Sequence, residues 1–174
     1  MAEHMTEAEK RAHLREVVAD FETAMLVTRN HQGEIRARPL ALAKPDEGAD
    51  VLEDGMLYFP TSLSSPKIEE IAADARVAVT MQDKRRFVSI SGTARILSDR
   101  GLVDRLWSES WKVWFPRGKE DPELCLLEVT PTAAEYWDQK GGKGLAYLFE
   151  AAKAYVQGTT PDLHDDAHNA KVRV

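Results

Sequence analysis

Apolar residues keep a helical interval from Leu14 to Phe21 and then abandon it for short alternating runs. Leu14, Val17, Val18 and Phe21 share one helical stripe, and Thr6 with Glu9 has Ser/Thr-x-x-Glu capping-box spacing. The pattern predicts a helix over about residues 6–21. Beyond it, Ala24–Thr28, Ile35–Ala43 and Met56–Phe59 read as strands. The first two are joined by a turn at Asn30-His31-Gln32-Gly33, and an acidic, turn-rich loop, Lys44 to Gly55, precedes the third. Pro60 has no N–H to give a sheet, so it ends the third strand or marks a sheet edge.

Ser65 and Pro66 form an N-cap with proline at the first helical position, opening a short helix that ends near Asp74. Glu69 and Glu70 suit the positive end of its dipole. Val77–Met81 and Phe87–Leu97 form a hairpin around Asp83-Lys84-Arg85-Arg86. Ser98 or Asp99 caps a further helix, expected to run to about Trp114 and to be halted by Pro116. Leu124–Val129 and Ala133–Trp137 read as two strands interrupted at Pro131. A C-terminal helix over Gly144–Gln157 is expected, and from Thr159 a poorly ordered tail, so that residues 144–174 are helix and tail. Many short strands in mostly antiparallel order, with helices inserted, predict an α+β, mainly β protein built on a small barrel. At 174 residues with no visible linker, residues 1–174 are expected to form one domain.

Several function classes fall away. Cys125 is the lone cysteine, so neither an intramolecular disulfide nor a thiolate-rich zinc site is available. It sits in an apolar strand and reads as buried filler. The formal charge of −6 is the wrong sign for gripping nucleic acid over a whole surface. The polar start and the lack of an apolar run of about 18 residues predict a cytoplasmic chain that neither carries a signal peptide nor spans a membrane. His164 and His168 have i, i+4 spacing in a polar tail, and no metal site is expected there. Gly141-Gly142-Lys143-Gly144 lacks P-loop spacing and reads as a turn.

Two stretches carry candidate chemistry. Arg36 and Arg38 are two apart on a strand, so their side chains leave the same face. Guanidiniums so placed repel unless an anion lies between them or water solvates both; a solvated sheet face and an anion site both remain open. Thr61 to Lys67 is a hydroxyl-rich turn leading into a helix start that carries Lys67. Exposed N–H groups, the dipole and an ammonium form a phosphate site there, or else a capped loop with a solvated lysine. A meander from the second strand through the third into the helix would make the two stretches neighbours. Trp107, Trp111 and Trp114 fall at i, i+4 and i+7, one helical stripe that serves either packing or a ligand cover. No pair of residues stands out as acid and base, so no catalytic residue is named.

The order Arg36-Ala37-Arg38-Pro39-Leu40, Leu57-Tyr58-Phe59-Pro60-Thr61, Ser65-Pro66-Lys67 and Val77-Ala78-Val79 resembles the flavin-binding split barrels related to pyridoxamine 5′-phosphate oxidase. Trp114-Phe115-Pro116-Arg117-Gly118-Lys119-Glu120-Asp121-Pro122, Glu135-Tyr136-Trp137-Asp138 and the ending Lys171-Val172-Arg173-Val174 are similar to the bacterial general stress protein branch of that superfamily. The resemblance implies an antiparallel split β-barrel with flanking helices and a homodimer with FMN, or FAD, between its subunits. It implies that Arg38 and Lys67 hold the phosphate beside Ser65 and Pro66. Pro39, Leu40, Pro60 and Thr61 would contact the flavin and its ribityl chain. Arg36 stands near this set, and Trp111 or Trp114 of one subunit would cover the flavin of the other. The implied function is a flavin-dependent oxidoreductase of unknown substrate, with a flavin carrier without turnover as the alternative. The chain departs from the oxidase proper in having Pro66 where that enzyme has an additional basic residue, and in lacking its arginine-containing C-terminal substrate segment.

Overall fold

The structure, a computed structural model, describes residues 5–44, 55–138 and 169–173. Helix α1 (Glu7–Ala19) starts as the spacing predicts: the Thr6 hydroxyl accepts from the Glu9 N–H while the Glu9 carboxylate accepts from the Thr6 N–H. Its buried face, Leu14, Val17 and Val18, joins the main core.

The strands are β1 (Thr23–Arg29), β2 (Ile35–Ala41), β3 (Leu57–Ser62), β4 (Arg76–Gln82), β5 (Arg86–Leu97), β6 (Leu124–Asp138) and β7 (Asn169–Arg173). They form one antiparallel sheet in the order β2-β1-β4-β5-β6-β3, with β7 also paired to β6. The sheet curls without closing. Its two ends approach where the Ala43 N–H, just past β2, donates to the Tyr58 carbonyl of β3 at 2.8 Å. Helix α2 (Pro66–Ala73) follows β3, and α3 (Arg100–Leu106) follows β5. This is the α+β, mainly β architecture of an open antiparallel barrel.

The inner face holds Leu26, Phe59, Val79, Ile90, Leu127, Val129 and Tyr136 in the main core. A second apolar cluster groups Tyr58, Leu124 and Leu126 of β3 and β6 with Val103, Leu106, Trp111 and Phe115. Strand β3 is therefore buried on both faces from Leu57 to Thr61, which its largely apolar first four residues require. At the hairpin, the buried Arg86 guanidinium donates to Asp83 and Asp20 and lies 5.1 Å from the Phe21 ring centroid. It ties the end of α1 to the β4–β5 turn.

Several expectations change. Of the two readings of Pro60 the edge holds and the strand end does not: it lies inside β3, opposite Leu126, on the strand at the end of the sheet order. Pro131 does not split the chain into two strands either. Strand β6 runs 15 residues through it, and a bulge absorbs the irregularity: Gly92 pairs with Pro131 and the next pair is Ser91 with Ala133. The tryptophan stripe dissolves because α3 stops at Leu106, Trp107 turns to an extended ψ of 133°, and the chain resumes as a 3-10 turn, Glu109–Val113. The expected helix over 144–157 lies outside the described residues. Within the tail expected to be poorly ordered, Asn169–Arg173 is a strand on β6.

The bulge depends on a bare Cα. A Cβ at Gly92 would stand 2.3 Å from the Thr130 carbonyl oxygen, a backbone atom that cannot rotate away. Gly92→Ala should thus destabilise the fold by about 1–3 kcal/mol, the usual cost of forced overpacking, read as a lower urea midpoint.

Candidate functional site: two cations at one end of the barrel

Strand register explains how Arg38 reaches the inside. Arg38 lies opposite Leu26, a fully buried core residue, and Arg36 lies opposite the buried Thr28. Cross-strand partners share a face, so both arginines continue the inner face toward one end of the barrel. Thr61 does the same on β3, two residues beyond Phe59. Helix α2 lies over that end. Lys67, Glu70 and Ile71 fall at i, i+3 and i+4, one helical face, and Lys67 and Ile71 are both buried.

Arg38 is clamped. Its Nη1 donates to the Thr28 hydroxyl at 2.7 Å and its Nη2 to Glu70 Oε2 at 2.8 Å. Thr28 in turn donates to the same carboxylate oxygen at 2.5 Å, closing a three-membered ring of hydrogen bonds. A guanidinium fixed in this way keeps one orientation and leaves its remaining N–H groups aimed.

Lys67 is the anomaly. Only 8% exposed, its ammonium donates to the Thr61 hydroxyl at 2.8 Å and the Ser65 hydroxyl at 2.5 Å. Among the described residues no carboxylate lies within ion-pair distance of it. Burial, and next the charge of Arg38, hold its pKa below the usual lysine value, while Glu70 opposes them. A buried cation served by neutral hydroxyls costs stability unless an anion is meant to meet it. Beneath Thr61, the buried Cys125 thiol donates to the Thr61 carbonyl at 3.4 Å, and burial pushes its pKa up to about 11. It is an inert packing thiol, as its sequence context suggests.

The structure brings Arg38, Thr61, Ser65 and Lys67 together. Pro66 is exposed at the first turn of α2, Pro39 is exposed, Leu40 packs on the main core, and Pro60 is buried in β3. Arg36 is exposed and donates to Glu34 at 2.6 Å. Trp111 is 2% exposed inside the second apolar cluster, its ring edge-on to Trp107, whereas Trp114 is 64% exposed. Thr28 and Glu70 complete the site without having been picked out for it. Only the β1–β2 register and the helical phase of α2 bring them to Arg38.

A curled, open antiparallel sheet with flanking helices is a split β-barrel, and one end of this one holds two neighbouring cations, Arg38 and Lys67. Residues 9–162 match the family described as pyridoxamine 5′-phosphate oxidase like, and the chain belongs to it. It is 37% identical over 84 residues to general stress protein 26 of Bacillus subtilis (strain 168), a stretch covering 45% of this chain and 59% of that protein. A crystal structure assigned to a general stress protein 26 of Jannaschia sp. CCS1 superposes with a TM-score of 0.70 at 26% identity, covering 97% of this chain and all of that one. The general stress FMN/FAD binding protein of Xanthomonas citri gives a TM-score of 0.61 at 29% identity, over 79% of this chain and 93% of that one.

The cost of Lys67 has a testable sign. Its folded-state pKa lies below the ordinary 10.5, so between those two values the unfolded chain holds more protons and stability rises with pH. Below the folded-state pKa the cost is present in full. Lys67→Met in the unliganded protein should therefore be at least as stable as the parent at neutral pH. Its advantage should shrink as pH climbs toward 10.5, measured by urea unfolding across that range. A variant clearly weaker at pH 7 would show that the two hydroxyls fully compensate the charge.

Proposed function

We propose that this chain is a cytoplasmic, homodimeric flavin-binding protein that acts as a flavin-dependent oxidoreductase in a stress-related role. The observation that carries the reading is Lys67, a buried ammonium that, among the described residues, is met only by hydroxyls, beside an Arg38 held in one orientation. That donor set fits a flavin phosphate, which carries close to two negative charges and needs charge-assisted donors. Lys67 would supply a point charge and Arg38 a planar fork, with Ser65 and Pro66 at the first turn beside them. Thr61, Pro60, Pro39 and Leu40 would border the rest of the flavin. Membership of the family and the likeness to a protein named for FMN/FAD binding support the same reading. When bound, the flavin supplies the redox chemistry, accepting and passing on a hydride. The chain's own contribution is to hold, orient and neutralise it.

Exposed Val113 and Trp114 sit side by side after α3, an apolar patch that a second copy of the chain would cover. In that dimer Trp114 is the tryptophan free to reach the partner's flavin, whereas Trp111 is committed to the packing of its own subunit. Light scattering should give twice the chain mass, and a monomer that still binds flavin fully would remove the dimer from the reading. The carrier alternative shares the binding site, and reduction of the bound flavin by a nicotinamide donor separates the two.

The phosphate contact has its own signature. Each charge-assisted bond is worth about 1.5–3 kcal/mol, so Lys67→Ala and Arg38→Ala should each weaken FMN about tenfold to a hundredfold. Riboflavin, lacking the phosphate, should lose little. Equal losses for both ligands, with unchanged melting, would show that these side chains do not hold a phosphate.

A further inference from the structure

The clamp on Arg38 contains a negative charge that holding Arg38 does not require. Both bonds to Glu70, from the Thr28 hydroxyl at 2.5 Å and from Arg38 Nη2 at 2.8 Å, fall on one oxygen, Oε2. The other oxygen, Oε1, accepts no hydrogen bond among the described residues. A neutral carboxamide has one acceptor oxygen and could take both bonds in the same geometry. Glutamine would therefore orient Arg38 as glutamate does, and the charge is left to be explained. It is also sheltered: the Glu70 and Arg38 side chains are 12% and 24% exposed, so water screens the pair only in part.

Charge counting at this end of the barrel shows what the carboxylate does. Arg38 and Lys67 bring two positive charges that repel each other: after burial, the charge of Arg38 is what holds the Lys67 pKa down, while Glu70 opposes both. In the empty site Glu70 offsets that repulsion. A flavin phosphate arrives with close to two negative charges. Two cations alone would match it, whereas two cations with Glu70 fall one short. Arg38 then serves two anions at once, and the two anions repel across a place that water screens poorly.

Resting on the flavin reading above, we propose that Glu70 is a built-in counter-anion that competes with the ligand phosphate for Arg38 and so keeps the flavin exchangeable. It stabilises the empty site and loosens the filled one. Affinity differences between closely related complexes lie mostly in release rates, so the effect falls on how long the flavin stays. Glu69 is the natural control. Next to Glu70 along α2, it carries the same charge but is exposed and makes no hydrogen bond or ion pair among the described residues.

The test is calorimetric titration of FMN and riboflavin into the full chain and into Glu70→Gln and Glu69→Gln. FMN release is followed by stopped-flow fluorescence, and urea unfolding is measured with and without inorganic phosphate. Glu70→Gln should bind FMN about tenfold to a hundredfold more tightly than the parent, the size of one partly screened like-charge repulsion, and release it correspondingly more slowly. Riboflavin should bind both alike, and Glu69→Gln should match the parent for both ligands. Without ligand, Glu70→Gln should unfold at a lower urea concentration than the parent, and inorganic phosphate should narrow that gap. A Glu70 that only positions Arg38 gives the other sign, with FMN binding unchanged or weaker in Glu70→Gln. That result in a parent that binds FMN, or an equal gain for riboflavin or in Glu69→Gln, would overturn the inference while leaving the flavin reading intact. A parent that binds neither flavin would overturn that reading, and the inference with it.

Discussion

The barrel turns on the contact between Gly92 and the Thr130–Pro131 backbone. Strand β6 needs partners on both edges: β5 along most of its length on one side, and β3 then β7 in succession on the other. A straight 15-residue strand would carry its two halves in one direction. The bulge at Gly92 bends it, because two residues of β6 now oppose one step of β5 and the local twist increases. Pro131 contributes no N–H to that step, and the Thr132 hydroxyl, donating to the Ser91 carbonyl at 3.1 Å, replaces part of the lost pairing. Only a residue without Cβ lets the Thr130 carbonyl come so close. The first half of β6 then carries β3, and with it Thr61, to the end of the barrel where Lys67 waits.

The sequence made some of this legible and hid the rest for identifiable reasons. Helix α1, strands β1 and β2 and the β4–β5 hairpin depend on local signals, a capping box, alternation and turn residues, which act over a few positions. The misjudged elements depend on remote partners. Pro60 reads as a strand end or an edge marker; the pairing with β6 keeps it inside β3, and β3 does stand at the end of the sheet order. Pro131 reads as a break until Gly92, 39 positions earlier, is known to lie opposite. The i, i+4, i+7 spacing of the tryptophans is helical, yet Trp107 leaves the helix so that Trp111 can enter the second cluster. Tertiary packing overrode local period there.

The same division runs through the site. Arg38 and Lys67 were visible because a charge in an apolar strand and an ammonium at a helix start both conflict with their local setting. Such conflicts concentrate where a fold gives up stability for function. Thr28 and Glu70 conflict with nothing locally. A threonine in a strand and a glutamate in the first turns of a helix are both favoured by propensity and dipole. Their part in fixing Arg38 exists only once β1 pairs β2 and α2 lies across the barrel end. Residues that strain the sequence can thus be read early, and residues that relieve the strain need the fold.

Two doublets, Arg36 with Arg38 and Glu69 with Glu70, show how secondary structure sorts like charges. On a strand, residues two apart share a face but are displaced along it, so the pair becomes one inner and one outer cation. On a helix, neighbours diverge by about 100°, so of two adjacent carboxylates only one can turn inward. Arg38 and Glu70 are the inner members, and they neutralise each other in a partly buried pair. The outer members do not pair with each other: Arg36 holds Glu34 of its own strand region instead, and Glu69 makes no hydrogen bond or ion pair within the described residues. The inner pair thus has a structural occupation that fixes Arg38, while the outer cation and carboxylate line one cavity with opposite charges held apart.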